Sequence, residues 1–394
     1  MVRFFPPLDQ AILLPVRRPM GGGEFPVGVE EEYQVVDPDT GALRGRAPAL
    51  LMAADGLAKA EYQRTIVEVA SPVCATAAEV GQCAAEGRVA LARVAAAQGL
   101  TIAAAGLHPV GAYPTSQVTD EPRYRELART GGPQLRDLHI FGLHIHVGVP
   151  DLETAVRAMV GATPYTPHLL ALCASSPFYH GADTGFASYR TIIRDAFPEV
   201  GPAPPMSGAA EYRQLLRLLT GKKCDERERC PVSWDIRPSS RYPTLEFRFF
   251  DVCPWVEDVA VLAAFARALT AMFGDRPPPQ RSGTELQLMR ENRWRAARHG
   301  LDAHFFRLDP ATGEQRPARD QIRALAERLL PLAERLGDVA ALAGVERILQ
   351  RGNAAAAMRG VLKREGSFPA VTRWVAEQTV GSAEAAVERQ RRAA

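Results

Sequence analysis

Residues 27–36 read VGVEEEYQVV, and as a strand this segment sorts its side chains onto two faces. Val27, Val29, Tyr33 and Val35 share one face, with Glu31 as its odd member, while Glu30, Glu32 and Gln34 share the other. Three further segments divide in the same way. In Thr65–Ala70, Val67 and Val69 oppose Glu68, which keeps company with Ile66 and Ala70. In His139–Val149, the apolar Phe141, Leu143, Ile145, Val147 and Val149 oppose His144 and His146. Gly142 and Gly148 leave room beside those imidazoles. In Thr244–Asp251, Leu245, Phe247 and Phe249 oppose Glu246 and Arg248.

For any one of these strands, an outward charge on an amphipathic face is the ordinary explanation. Four together weaken it, because solvent faces usually mix Lys, Thr, Ser and Glu. These carry Glu/Glu, Glu, His/His and Glu/Arg, with no lysine among them. Gathered carboxylates with little positive charge are costly unless a cation lies among them. Oxygen donors with an imidazole suit Mg²⁺ or Mn²⁺ better than zinc. Each histidine alone is equally compatible with a hydrogen-bonded core position.

The remainder of the chain supplies the frame. Thr101–Ala105 and Val232–Arg237 also read as strands, whereas from about Arg319 onward the sequence is helix after helix. Thr76 with Glu79 forms a capping box opening a helix that stops near Gly99. Thr284 with Gln287 has the same form, for a helix ending at Gly300, and Asp151 caps a short helix through Val160. Strands with varied connections followed by a helical third predict an α+β fold. Residues 1–24, with paired prolines and a triple glycine, read as a flexible leader, leaving residues 25–394 as a single catalytic domain.

With 394 residues, 46% hydrophobic and 23% charged, the chain has the composition of a globular protein with a sizeable core. A net charge of +2 argues against nucleic acid as a partner. The six cysteines form no CxxC pair, so reduced thiols and a cytoplasmic location are expected. Val259–Phe273 carries Arg267 and reads as a core helix rather than a membrane span.

Specific stretches go further. GVEEEY (28–33), VEVASP (67–72), GLHIHVG (142–148) and TLEFR (244–248) resemble the glutamate–cysteine ligase superfamily, and most closely its bacterial carboxylate–amine ligase branch. SSPF (175–178), the segment Gly181–Arg190, WDIRPS (234–239) and ENRWRAAR (291–298) support the resemblance, which runs in order from about Pro26 to His304. It implies a glutamine-synthetase-like fold, a curved and largely antiparallel sheet forming a funnel flanked by helices. It also implies metal ligands at Glu30, Glu32, Glu61, Glu68, His144 and Glu246, with His146 behind them. Arg248 would meet phosphate or the acyl substrate. Arg190 and Arg295 would meet substrate carboxylate or phosphate, with Arg248 and Arg295 as the nucleotide contacts.

The implied reaction needs ATP and Mg²⁺ or Mn²⁺: a carboxylate attacks the γ-phosphate, and an amine captures the acyl-phosphate. There is no GxSxG elbow and no GxxxxGK[ST] phosphate loop. The partners expected are a small amino acid and an amine, with a homodimer compatible and no membrane contact. Two other classes remain open at this stage. A His-x-His strand also suits a metal-dependent amidohydrolase, which requires alternating strand–helix units and later histidine ligands. A catalytically idle nucleotide-binding homologue is the third.

Overall fold

The computed structural model describes residues 23–111, 118–122, 124–129, 138–220, 232–308 and 312–393. Residues 1–22 of the expected leader, together with Cys224 and Cys230, lie outside them. The frame is a seven-stranded sheet of β1 (Val27–Val36), β2 (Lys59–Ala60), β3 (Ile66–Ala70), β4 (Thr101–Ala103), β5 (Gly142–Gly148), β6 (Ile236–Pro238) and β7 (Thr244–Asp251). Their order is β6-β7-β5-β1-β3-β2, with β4 pairing the last residues of β1. Every pairing in this sheet is antiparallel. That excludes the parallel barrel an amidohydrolase requires, and meets the α+β expectation.

The core lies on the apolar face of the sheet. Helices α1 (Ala77–Ala96), α2 (Leu152–Ala162), α3 (Tyr189–Arg194), α4 (Glu257–Gly274), α5 (Gly283–His299) and α6 (Phe368–Ala393) are the ones that bear on the site and its support. Thr76 accepts from the Glu79 amide and Glu79 accepts in return from Ala75, which caps α1 as expected. α4 is buried along nearly its whole length, as its apolar run predicts. Its Arg267 is buried too, paired with Asp338 and donating to the carbonyls of Glu24, Phe25 and Ala75. The helices after Ala318 follow one another as expected, and α6 packs against α1 and β4.

Three expectations are corrected. The cap of α5 is Ser282 with Glu285, two residues before the Thr284–Gln287 pair. Both patterns are present, and the one with a full carboxylate at the positive helix end prevails. The segment Val232–Arg237 divides at Asp235. Ser233–Trp234 pairs in parallel with Val200–Gly201 in a separate small sheet, and only β6 joins the main one. The cause is Asp235 itself, whose buried carboxylate is drawn to Arg293 of α5 at 2.6 and 3.0 Å. Finally β5 begins at Gly142, three residues later than expected, with Ile140 held to Leu107 by an isolated bridge.

Glu31, the odd member of the apolar face of β1, is explained by a residue on α1. Arg88 is fully buried and its Nη2 lies 2.5 Å from Glu31 Oε1, while the Tyr33 hydroxyl donates to Glu31 Oε2 at 2.5 Å. Arg88 also donates to the carbonyls of Cys253 and Pro254. Removing one member of such a pair strands a buried charge, which costs about 3–5 kcal/mol. Arg88→Met should lose that much in urea unfolding, and Arg88→Met/Glu31→Gln clearly less. Equal loss in the two would show that α1 packing, not the ion pair, carries the stability.

Candidate active site

Cross-strand register assembles the polar face. Glu32 on β1 stands opposite Glu68 on β3, and Glu30 stands opposite His144 on β5. His146 stands opposite Glu246 on β7, which in turn faces Arg237 on β6. The parity expected for Glu30, Glu32, Glu68, His144, Glu246 and Arg248 is the parity observed.

Two groups of three donors result. Glu30, His146 and Glu246 place one atom each within 4.8 Å of the others, as do Glu32, Glu61 and Glu68. His146 Nε2 lies 3.5 Å from Glu30 Oε2 and 3.7 Å from Glu246 Oε1, and is buried without a hydrogen bond. Neighbouring donors about 2.1 Å from an octahedral ion are ~3 Å apart, so these spacings suit Mg²⁺ or Mn²⁺. The other ring nitrogen, Nδ1, is 3.0 Å from the Thr244 hydroxyl, and a proton held there leaves the Nε2 lone pair facing the carboxylates. His144, the ligand implied by the resemblance, sits between the groups, with Nδ1 3.6 Å from Glu30 and Nε2 4.0 Å from Glu32. His146, expected behind the ligands, is the histidine within the first group.

The charges are compensated unevenly. Burial pushes the Glu30 carboxyl up, but the facing imidazoles and Lys59 outweigh it and hold it well below the usual range. For Glu246 burial is likewise overcome, by Arg237 and Arg248 and then His146. Arg237 Nε is 2.9 Å from one Glu246 oxygen, and Arg248 pairs with the other. Glu68 goes the opposite way: burial, then the charges of Glu30 and Glu61, push it well above the usual range despite Lys59. Lys59 Nζ is 3.1 Å from Glu68 and 3.8 Å from Glu30.

Neither Lys59 nor Arg237 was marked in the sequence. Arg237 had a signal, since it alternates with the buried Ile236 and continues the polar face. Lys59 had none, because a two-residue edge strand leaves no periodicity to read. Arg190 of α3 reaches the same face beside Gly142, where an added Cβ would lie 2.3 Å from its Nη2 and 3.2 Å from His144 Nε2. Arg295 is placed elsewhere, on α5, bonded to Glu291, Gln315 and the His304 carbonyl and stacked over Phe306. It lines a cavity of about 380 Å³ with Trp294 and His299, and no hydrogen bond or ion pair joins it to the carboxylates.

The model of glutamate–cysteine ligase family 2 matches residues 26–377. The chain belongs to this family. A Salinispora tropica protein named "Putative glutamate–cysteine ligase 2" is 36% identical over 90% of this chain and 94% of its own. A protein of the same name from Rhodospirillum rubrum is 36% identical over 90% and 96%. Among solved structures, the fold is that of the glutamate–cysteine ligase of Francisella tularensis, solved in complex with AMP (TM-score 0.64, 12% identity, 94% of this chain and 95% of that one). It is also that of a bifunctional glutathione synthetase from Pasteurella multocida (TM-score 0.66, 16% identity, 91% of this chain), of which the chain spans about half, 53%. Membership makes the chain an ATP-dependent carboxylate–amine ligase by class, as the sequence motifs imply. Among the described residues no helix is long and apolar enough to cross a membrane.

The donor groups predict metal binding that is measurable without turnover. Mn²⁺ at 100 times its Kd should add about 2.7 kcal/mol of stability, visible as a higher melting temperature that EDTA reverses. Glu30→Gln should weaken Mn²⁺ binding, read by paramagnetic resonance, by at least ~10-fold. Unchanged affinity in that variant would place the ion away from β1.

Proposed function

We propose that the chain joins the carboxylate of an amino acid to an amine, converting ATP to ADP and phosphate through an acyl-phosphate. The finer form of the proposal is a γ-glutamyl amide made from glutamate and cysteine, the pair named in its relatives. It acts in the cytoplasm, with residues 25–394 as one catalytic domain. What carries the reading is a single juxtaposition: two three-donor groups gathered at one sheet face, with Arg248 paired to Glu246 of the first.

Glu30, His146 and Glu246 would hold one divalent ion, and Glu32, Glu61 and Glu68 a second, with His144 between them. When bound, Mg²⁺ or Mn²⁺ supplies positive charge to the phosphate oxygens. The protein does the rest by position. Glu246 is fixed from both sides by Arg237 and Arg248, so its oxygens cannot swing away. Arg248 Nε is buried without a partner, which leaves a charged donor for the oxygen where negative charge develops as substrate carboxylate attacks the γ-phosphorus. No side chain need form a bond to the acyl group, in keeping with the lack of a nucleophile elbow. The nucleotide contact expected of Arg295 places part of the nucleotide in the cavity that Arg295 lines on α5.

The test is ADP release from ATP and Mg²⁺ across a panel of amino acids and amines. Activity should require both an acid and an amine. Glu246→Gln and Arg248→Lys should each lower kcat by ~10²–10³ while melting near the wild-type temperature. Near-normal turnover in both variants would remove this face from the reaction.

A further inference from the structure

WDIRPS (234–239) and ENRWRAAR (291–298) meet in the structure through Asp235 and Arg293, two residues the proposed chemistry does not use. Both are buried. Arg293 Nε and Nη2 donate to the two oxygens of Asp235 at 2.6 and 3.0 Å. Its Nη1 donates to Asp195, the residue after α3, at 2.5 Å. An apolar pair would fill such a core at least as favourably, so the ion pair is better explained by what it holds in place.

What it holds is the backbone of Arg248. Phe247 pairs with Ile145 and Phe250 with Leu143, so Arg248 and Phe249 together oppose one residue of β5, His144. Such a bulge disturbs the ladder and re-aims a side chain. Here the backbone groups of the bulge find partners outside β5. The Arg248 amide donates to the Asp235 carbonyl at 2.8 Å, and the Arg248 carbonyl accepts from Arg194 Nη1 of α3 at 3.2 Å. One turn earlier on α3, Arg190 Nη1 donates to the Phe249 carbonyl at 3.2 Å. The peptides on both sides of Arg248 are therefore held, one by Asp235 and the other from α3. Arg293 ties those two supports together through Asp235 and Asp195. Asp235 is anchored again by its own amide, which donates to the Gly201 carbonyl at 2.7 Å.

Resting on the ligase proposal, we infer that Arg293 is a positioning residue for Arg248. Through Asp235 and Asp195 it clamps the bulge of β7, so that the Arg248 guanidinium stays beside Glu246 with its Nε turned to the reacting phosphoryl group. The clamp works through backbone, and Arg293 itself touches no substrate. A displacement of about 1 Å at such a group costs on the order of 10²-fold in rate, which is what a rigid bulge avoids.

The test uses the full chain and two variants. Arg293→Lys keeps the charge but cannot grip Asp235 with two donors and Asp195 with a third. Asp195→Asn weakens only the arm to α3, at a half-exposed residue, and carries the test if Arg293→Lys fails to fold. The first readout needs no turnover: hydrogen exchange at the Arg248 amide should quicken by about 10–100-fold in Arg293→Lys, and by less in Asp195→Asn. Amides of β1 and β3 should stay within about 2-fold, which general loosening of the sheet would not allow. The second is ADP release, where kcat should fall by roughly 10–100-fold with KM for ATP and the acid nearly unchanged. In an Arg248→Lys background, Arg293→Lys should lower kcat by no more than about 2-fold further, because nothing is left to aim. Undiminished, multiplying losses in the double variant, or an Arg248 amide equally protected in both single variants, overturn the inference and leave the ligase proposal standing. A wild-type chain that releases no ADP with any acid and amine overturns both.

Discussion

Carboxylates held within 4.8 Å of one another repel, and much of this structure is arranged around that repulsion. At an effective dielectric of ~20, an ionised pair at such a distance costs about 3 kcal/mol. The sheet cannot relieve it by bending side chains away, because Glu30, Glu32, Glu68 and Glu246 are each fixed by register with a neighbouring strand. Relief comes instead from the flanks: Arg237 and Arg248 on the Glu246 side, Lys59 on the Glu68 side, and the two imidazoles between. What remains uncompensated is centred on Glu68, whose carboxyl is pushed up where Glu246 and Glu30 are held down. A divalent ion is the natural complement to that residue of charge.

The opposite face of the sheet solves a different problem with the same materials. Glu31 would be an error on an apolar face, and Arg88 and Tyr33 turn it into a buried three-member network that pins α1 to β1. The polar face is left hungry for a cation, whereas the buried face is satisfied within the protein. The contrast separates a structural carboxylate from candidate ligands within three consecutive residues, Glu30, Glu31 and Glu32.

Strand parity made much of this legible from the sequence, since period-two alternation needs no knowledge of partners. Which strands face one another does need it, and there the residues were silent. His144 and His146 have identical parity; the register of β5 sets His144 opposite Glu30 and His146 opposite Glu246, and His146 then reaches Glu30 across the diagonal. The bulge in β7 between Phe247 and Phe250 is another such case. It lets both Phe249 and Phe250 enter the core and turns Asp251 back to the Gly142 side, a shift that alternation alone counts wrongly. Asp235 broke an apparently continuous strand because of Arg293, 58 residues away in sequence. Each of these depends on long-range pairing, which local pattern does not encode.

A crystal structure with Mn²⁺ and a non-hydrolysable ATP analogue, the ions located by anomalous scattering, tests most directly whether this face holds two ions. One peak is expected among Glu30, His146 and Glu246, a second among Glu32, Glu61 and Glu68, with nucleotide phosphates beside them. Nucleotide bound with no peak at either group, or Mn²⁺ bound only at a site remote from β1, would contradict a two-ion site.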